Sequence, residues 1–173
     1  QYHSVYKNYI VENDVRNELI LKNLKELLDK KYTPLVLFKQ IKHGNILAEK
    51  FKDAGIKFAM LDGSDNLDKR NEVKEKLLNK EINVILASTI YDIGVDIPML
   101  NALLLSGSGK SSVRALQRIG RVIRSYAGKK FAAIVDFYDQ AHYVKKHSQK
   151  RFEVYSSEKG FKVIKSKEMK WNH

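Results

Sequence analysis

Short apolar runs alternate with helix-like segments along most of the chain, and this alternation constrains the fold more than any other feature. Three runs are almost purely aliphatic: NVILA at 83–87, ALLL at 102–105 and AAIV at 132–135. Such runs are typical of strands that are buried on both faces. Two further strands are predicted at 35–38 and 58–61. The sequence therefore predicts a sheet that is covered on both sides.

Helical segments separate these strands. One helix is predicted to begin at a cap on Asn13 or Asp14 and to end near Lys31; others are predicted over 44–54, where Gly55 ends the helix, and over 65–79. Strands that alternate with helices in this way form parallel sheets with right-handed crossovers. We therefore expect an α/β fold, a three-layer α/β/α sandwich with a mostly parallel central sheet.

Composition sets limits on location and partners. The 173 residues favour one domain, and the absence of cysteine excludes a disulfide framework. No run approaches the length of a membrane span and the polar start lacks a signal peptide core, so we expect a cytoplasmic protein without a membrane partner. The net charge of +12 favours a polyanionic partner such as nucleic acid, although a lysine-rich composition alone produces the same charge.

Polar and glycine residues follow each predicted strand. In a parallel sheet, ligands bind beyond the carboxyl ends of the strands. The residues that we expect on this edge are Lys39 and Gln40, Asp62 and Gly63, Ser88 and Thr89, and 106–109.

A regular series of arginines lies in the predicted helix between the last two strands. Gln117, Arg121 and Arg124 share one face, flanked by Arg114 and Arg118. The opposite face is apolar and can pack on a core. Because guanidinium groups bind phosphate oxygens through a rigid fork, this helix is predicted to face phosphate; the alternative is an exposed basic face.

The segment GSGKSS at 107–112 resembles the end of a phosphate-binding loop, but its spacing is wrong. The full signature requires a glycine where Leu104 stands, inside an apolar strand. We therefore predict a tight turn in which Ser111 or Ser112 caps the arginine helix. A small phosphotransferase built on Lys110 is the corresponding alternative.

A second glycine segment, DIGVDIP, contains Gly94 and Asp96. By itself it favours a turn before Pro98. Its place before the arginine series favours a nucleotide contact, in which Asp96 accepts a ribose hydroxyl. No metal site is predicted, because His142 and His147 fall on opposite sides of a helix and no cysteine joins them.

Three of these segments together resemble the second RecA-like domain of superfamily 2 helicases and translocases. The resemblance is to the DEAD/DEAH-like DNA helicases of the DNA-repair and phage type, and it extends to about Asp139. The family's motif IV corresponds to 35–43, motif V to 87–98 and motif VI to 117–124, and Gly63 with Arg70 matches a glycine-then-arginine pattern. The resemblance implies a RecA-like fold.

The resemblance also implies roles for individual residues. Arg121 and Arg124 match arginine fingers that reach the γ-phosphate of ATP, and Gln117 matches the position that orients the hydrolytic water. Gly94 and Asp96 match nucleotide contacts. The positions that match contacts to a nucleic-acid backbone are Lys39, His43, Gly44, Gly63, Ser88 and Thr89.

Two departures accompany the resemblance. Ile123 stands where the family usually has glycine before the last arginine. The chain also lacks a Walker A lysine and an acidic metal-binding motif. We therefore expect ATP and Mg²⁺ to be held mainly by an N-terminal RecA-like lobe absent from this chain, either in a longer protein of which this is a fragment or on another chain.

The last part of the chain is strongly basic. Residues 141–173 contain nine Lys and Arg against three Glu, a net charge of +6. We expect a RecA-like domain over 1–139 and a basic extension over 140–173, with a helix at 140–155 and an edge strand at 160–164. The chain is thus predicted to be the C-terminal motor lobe of a helicase that acts on nucleic acid, DNA rather than RNA. The alternative is a stand-alone, non-catalytic nucleic-acid-binding module.

Overall fold

The computed structural model describes residues 1–88, 97, 99–107 and 133–157. Within these residues five strands form one parallel sheet in the order β2-β3-β1-β4-β5. The strands are β1 (Pro34–Phe38), β2 (Phe58–Leu61), β3 (Val84–Ser88), β4 (Ala102–Leu105) and β5 (Ala133–Asp136). The predicted α/β class and parallel sheet are confirmed. The predicted arginine helix, the turn beyond Gly107 and the strand at 160–164 lie outside the described residues.

Helices cover both faces of the sheet. They are α1 (Tyr2–Tyr6), which continues into a π-helix (Lys7–Val11), α2 (Asp14–Asp29), α3 (Ile41–Asp53), α4 (Leu67–Leu78) and α5 (Val144–Ser157). Residues of α2 and α3 share one core with Val36 and Phe38 of β1. Residues of α4 share the other core with Leu35 and Leu37, the alternate residues of the same strand. Side chains alternate between faces along a strand, so β1 contributes to both cores.

The helix ends follow local rules that the sequence already contains. The Asn13 side chain accepts a hydrogen bond from the Arg16 amide at 3.0 Å, which caps α2, and Asn66 caps α4 in the same way. Gly55 ends α3 with a φ of 71°. The Ile56 amide returns to Phe51 O and the Gly55 amide to Lys52 O, a Schellman arrangement that satisfies two carbonyls at the helix end.

Two helical segments differ from the sequence-based expectation. Residues 2–11 are helical although no element was predicted there, and they bury Tyr6, Ile10 and Val11. α5 starts at Val144 rather than near Gln140, because Tyr143 has a φ of 69° that the helical backbone does not allow. None of the helices in the described part of the chain is long and apolar enough to cross a membrane.

Gly44 gives a test of how tightly α3 packs on the sheet. A Cβ at this position would lie 2.7 Å from Phe38 Cζ and 2.8 Å from Met60 Cε. We expect Gly44→Ala to lower the free energy of unfolding by about 1–2 kcal/mol, since overpacking outweighs the better helix propensity of alanine. Urea denaturation measures this change.

The control is Phe38→Leu, alone and combined with Gly44→Ala. The pair should cost less than the sum of the single changes, because Leu removes the ring atom that the new methyl group meets. Strict additivity, or a stabilised Gly44→Ala protein, would contradict the tight packing.

Candidate nucleic-acid interface

The carboxyl ends of the strands form one polar edge. Phe38 pairs with Ser88, and Leu61 pairs with Ala87, so β1, β2 and β3 end side by side. Leu37 pairs with Leu105, which brings the end of β4 to the same edge. Four residues at or just beyond the ends of these four strands therefore share one edge of the sheet. They are Lys39, Gly63, Ser88 and Gly107.

Lys39 follows β1 and is exposed. Its ammonium lies 5.6 Å from the ring centroid of Tyr2 and 5.2 Å from that of Tyr6, both in α1. These distances are within the range of cation–π attraction, which favours a lysine head group over the ring face. The N-terminal helix thus holds this cation at the carboxyl edge without neutralising its charge.

Gly63 lies in an exposed turn after β2. The Ser64 amide and hydroxyl both donate to Asp62 Oδ1, and the Asp62 amide donates to Asp65 Oδ2 at 2.7 Å. The hydrogen bonds from Ser64 lower the pKa of Asp62 and keep its carboxylate ionised. Hydrogen bonds inside the turn therefore fix its conformation, and the Gly63 backbone is exposed to solvent. Arg70, in α4 after this turn, is half-buried.

His43 and Gly44 do not reach the surface. Both are buried in the first turns of α3, and the Gly44 amide donates to Gln40 O at 3.1 Å within the helix. Asn17 Nδ2 donates to Val11 O, so Asn17 Oδ1 is left to accept from His43 Nε2 at 2.8 Å. His43 therefore carries its proton on Nε2. Its geometry gives it a packing role and does not support direct contact with a ligand.

Ser88 ends β3 and is also buried, and its hydroxyl has no hydrogen-bond partner within the described residues. The remaining predicted site residues lie outside the described residues and stay predictions: Thr89, Gly94, Asp96, Gln117, Arg121 and Arg124.

A buried ionic network that the sequence did not predict fixes this edge. Arg16 of α2 donates from Nε to Asp139 Oδ1 at 2.7 Å and from Nη2 to Oδ2 at 3.0 Å. Its Nη1 donates to Ser106 O, just after β4. The side chain of Arg16 is 2% exposed, so the pair is shielded from water. Three hydrogen bonds, one from each guanidinium nitrogen, make such burial tolerable.

A second arginine repeats this arrangement after β5. Arg151 of α5 donates from Nε to Asp136 Oδ2 at 2.7 Å, and its Nη2 donates to Phe137 O. Burial alone would lower the pKa of Arg151, but the facing Asp136 carboxylate raises it. Tyr155 also donates to Asp136 Oδ2, at 3.1 Å. α5 is therefore tied to the sheet by charge as well as by apolar packing.

Gly107 lies where α1, α3 and β4 meet. A Cβ there would lie 2.6 Å from the Tyr6 hydroxyl oxygen and 3.2 Å from His43 Nδ1. Neither of those two atoms has a hydrogen-bond partner within the described part of the chain. Burial raises the pKa of Tyr6 and keeps its hydroxyl protonated. A glycine at 107 is required by close packing at the carboxyl edge rather than by backbone conformation.

Comparison with known proteins relates this arrangement to a family. Residues 17–126 match the family model of the helicase conserved C-terminal domain. Putative helicase 22 of Sulfolobus islandicus filamentous virus is 32% identical over 135 residues, which cover 78% of this chain and 24% of the relative. The ATP-dependent DNA helicase uvsW of Enterobacteria phage T4 is 28% identical over 168 residues, which cover 87% of this chain and 34% of the relative.

Solved structures of helicases have a fold similar to that of this chain. The crystal structure of T4 UvsW superimposes with a TM-score of 0.64 at 25% identity and covers 82% of this chain and 32% of that chain. The structure of the E. coli DEAD-box protein SrmB superimposes with a TM-score of 0.56 at 29% identity, over 69% of each chain. The chain thus spans only about a quarter to a third of the two curated relatives and of UvsW.

The burial of His43 has a consequence for stability. Burial, and secondarily the charge of Arg16, lowers the pKa of His43 from 6.5 to about 3. As the pH falls below 6.5, the unfolded chain binds this proton while the folded chain does not. The contribution of neutral His43 to the free energy of unfolding is therefore complete above pH 6.5. It is lost as the pH falls towards 3, at about 1.4 kcal/mol per pH unit between the two values.

Urea denaturation at pH 7.5 and pH 5.5 measures this loss, with His43→Gln as the variant that does not titrate at this position. The variant should lose less stability than the wild type over this range. Nitrogen NMR of the ring should show neutral imidazole with the proton on Nε2 at both pH values. Titration of His43 near pH 6.5 would contradict the buried, neutral ring.

Proposed function

Because this chain belongs to the helicase conserved C-terminal domain family through residues 17–126, we propose that it is the C-terminal motor lobe of an ATP-dependent nucleic-acid helicase or translocase. The observation that carries the proposal is the family match itself, which includes the motif V segment at 87–98 and the arginine series at 117–124. Curated relatives are ATP-dependent helicases by name. A stand-alone, non-catalytic module is therefore the less favoured function.

In this proposal the arginine series acts on ATP. Arg121 and Arg124 stabilise the charge that develops on the γ-phosphate, and Gln117 orients the attacking water. Phosphoryl transfer depends on positioning and charge stabilisation more than on covalent chemistry. A guanidinium stays charged at any physiological pH and matches the oxygens of the transferred group. Gly94 lets the backbone approach the nucleotide, and Asp96 accepts a ribose hydroxyl.

The carboxyl edge of the sheet contributes contacts to the nucleic-acid backbone. Lys39 is exposed and held over two aromatic rings, and Gly63 is exposed in a rigid turn. These two residues, with Thr89, are the proposed backbone contacts. Ser88, His43 and Gly44 are buried, so they support the edge from beneath rather than touch the strand.

We assign Mg²⁺ and most contacts with ATP to an N-terminal RecA-like lobe that faces this one. Two carboxylates after the strands do not suit a cation, because Asp136 faces Arg151 and Asp139 faces Arg16. The Asp62 carboxylate accepts hydrogen bonds from Ser64. The chain also has no Walker A lysine of the required spacing. When bound, the metal ion would neutralise phosphate charge in that lobe, and no residue described here is assigned to it.

DNA is the proposed nucleic acid. The relative with the greatest coverage cited here, uvsW, is named a DNA helicase, and another is named a DNA 3'-5' translocase. The E. coli relative SrmB is named an RNA helicase, which makes RNA the alternative. The charge of +12 supports either polyanion. Because both ATP and nucleic acid are required, we propose that the protein acts in the cytoplasm.

The proposed division of the chain is a RecA-like domain over 1–139 and a basic extension over 140–173. The ion pair of Arg151 with Asp136 and the packing of Val144 with Tyr6 and Ile10 support an extension that is anchored on the domain. This arrangement favours one unit that contains the described residues of both segments.

Arg121→Ala tests the catalytic role in the protein that carries both lobes. We expect ATP turnover to fall about 10³- to 10⁵-fold, as expected for loss of a supplied arginine. Binding of DNA should change little, because the arginine faces the nucleotide. A coupled ATPase assay and fluorescence anisotropy with labelled DNA measure the two properties.

Arg114→Ala is the matched control, since it removes an arginine from the same segment but outside motif VI. It should retain most of the turnover. Arg121→Lys separates charge from geometry and should remain strongly impaired, because an ammonium lacks the guanidinium fork. Wild-type turnover in Arg121→Ala would refute the assignment.

A further inference from the structure

An aromatic surface that is exposed at His142 and Lys39 and half-buried at its two tyrosines joins the two ends of the described chain at the carboxyl edge of the sheet. It consists of Tyr2 from α1, His142 and Tyr143 just before α5, and Lys39 after β1. Except for Lys39, these residues lie outside the 17–126 segment that matches the helicase family. The family match therefore gives this aromatic surface no role.

The core of the aromatic surface is a stacked pair of rings. His142 lies on Tyr143 with centroids 4.1 Å apart and an interplanar angle of 24°. His142 is exposed, whereas Tyr143 is half-buried. The Tyr143 hydroxyl donates to Gln1 Oε1 at 3.0 Å, and the Tyr2 ring meets Tyr143 edge-on with centroids 6.4 Å apart. The outer ring thus rests on a supported inner ring.

The backbone at Tyr143 is strained. Its φ of 69° is a conformation in which asparagine or glycine is common and a bulky side chain is rare. Strained residues cluster at functional sites, although Lys31 and Lys80 adopt a similar positive φ just after helix ends. At Tyr143 the positive φ accompanies the stacking of its ring on His142.

Lysines from two parts of the chain accompany the ring stack. Lys39 lies over the Tyr2 ring at 5.6 Å, which connects the aromatic surface to the backbone contacts proposed on the carboxyl edge. The helix α5, which begins directly after Tyr143, exposes Lys145, Lys146 and Lys150. Its one arginine is turned inward on Asp136, so the lysines supply the outward charge.

We propose that the aromatic surface binds single-stranded nucleic acid, with one base stacked on His142 and phosphates on Lys39 and the α5 lysines. The proposal rests on the nucleic-acid function proposed above and extends the binding path from the sheet edge to α5. Single-strand binding proteins combine these two elements, a cationic path for the backbone and flat rings for the bases. A duplex keeps its bases stacked on each other and offers no base face to the ring.

His142→Ala tests the stacking role. Because the His142 side chain is exposed, this substitution should not disturb folding. Anisotropy with a labelled 20-nucleotide oligothymidylate should show about 5- to 100-fold weaker binding, in line with loss of one stacked base. Binding of an abasic oligomer of the same length, and of a duplex, should stay within twofold. His142→Tyr should restore binding of the oligothymidylate, since it restores the flat ring.

Two further variants separate the ring from the charge. Tyr143→Asn fits the left-handed backbone, so it should keep or raise the melting temperature while it weakens oligothymidylate binding like His142→Ala. Lys145→Gln with Lys146→Gln should weaken binding of all three probes. For the two single-stranded probes it should lower the salt slope by about 1.4, or about 0.7 per phosphate contact. Lys25→Gln with Lys30→Gln, on α2 and its end, is the matched charge control.

The proposal is overturned if His142→Ala binds the oligothymidylate as tightly as the wild type, or if it weakens the abasic oligomer equally. Binding is measured without ATP on the complete chain. A failure of the stacking proposal is therefore distinct from a failure of the motor function, which only ATP turnover reveals.

Discussion

The buried fork of Arg16 is the interaction on which the arrangement of the carboxyl edge depends. It joins three separate parts of the chain: α2, the carbonyl of Ser106 after β4, and Asp139 after β5. Loss of either charged partner would leave the other buried and unpaired, which typically costs about 3–5 kcal/mol. The pair therefore holds the ends of β4 and β5 in register with the start of α2.

The N-terminal helices and α5 also contact this edge. The N-terminal helices pack Tyr6 against Gly107 and hold Lys39 over two rings, while α5 is tied to Asp136 by Arg151. The two ends of the described chain meet here, through the packing of Tyr6, Ile10 and Val144. The edge combines buried ion pairs with the exposed cation of Lys39. This combination is suited to a phosphate backbone, because donors that are already ordered lose little entropy on binding.

The sheet could be predicted from the sequence because burial on both faces leaves a local signal, a continuous apolar run. NVILA at 83–87 and ALLL at 102–105 became strands almost where expected. The N-terminal helices contain no continuous apolar run and were not predicted, although the spacing of Tyr2, Tyr6 and Ile10 would have indicated one apolar face. The start of α5 was misplaced because a left-handed tyrosine cannot be predicted from propensity.

The candidate site was predictable only where the order of strands determines it. Lys39 and Gly63 follow strands and lie exposed on the expected edge. His43 was predicted to match a contact to a nucleic-acid backbone. Its burial against Asn17 could not be predicted, because this partner is 26 residues away and leaves no local pattern. Arg16 and Asp139, 123 residues apart, escaped notice for the same reason. The roles of Arg121, Arg124 and the motif V residues remain predictions.

In the proposed motor this chain acts on ATP that another lobe holds. The most direct measurement is steady-state ATP hydrolysis by the 173-residue chain, alone and after addition of the lobe that carries the phosphate-binding loop. We predict no ATP turnover by the chain alone and DNA-stimulated turnover by the chain together with that lobe. Turnover by the chain alone that is lost on Lys110→Ala would contradict this prediction, because a nucleotide site would then lie in the GSGKSS segment.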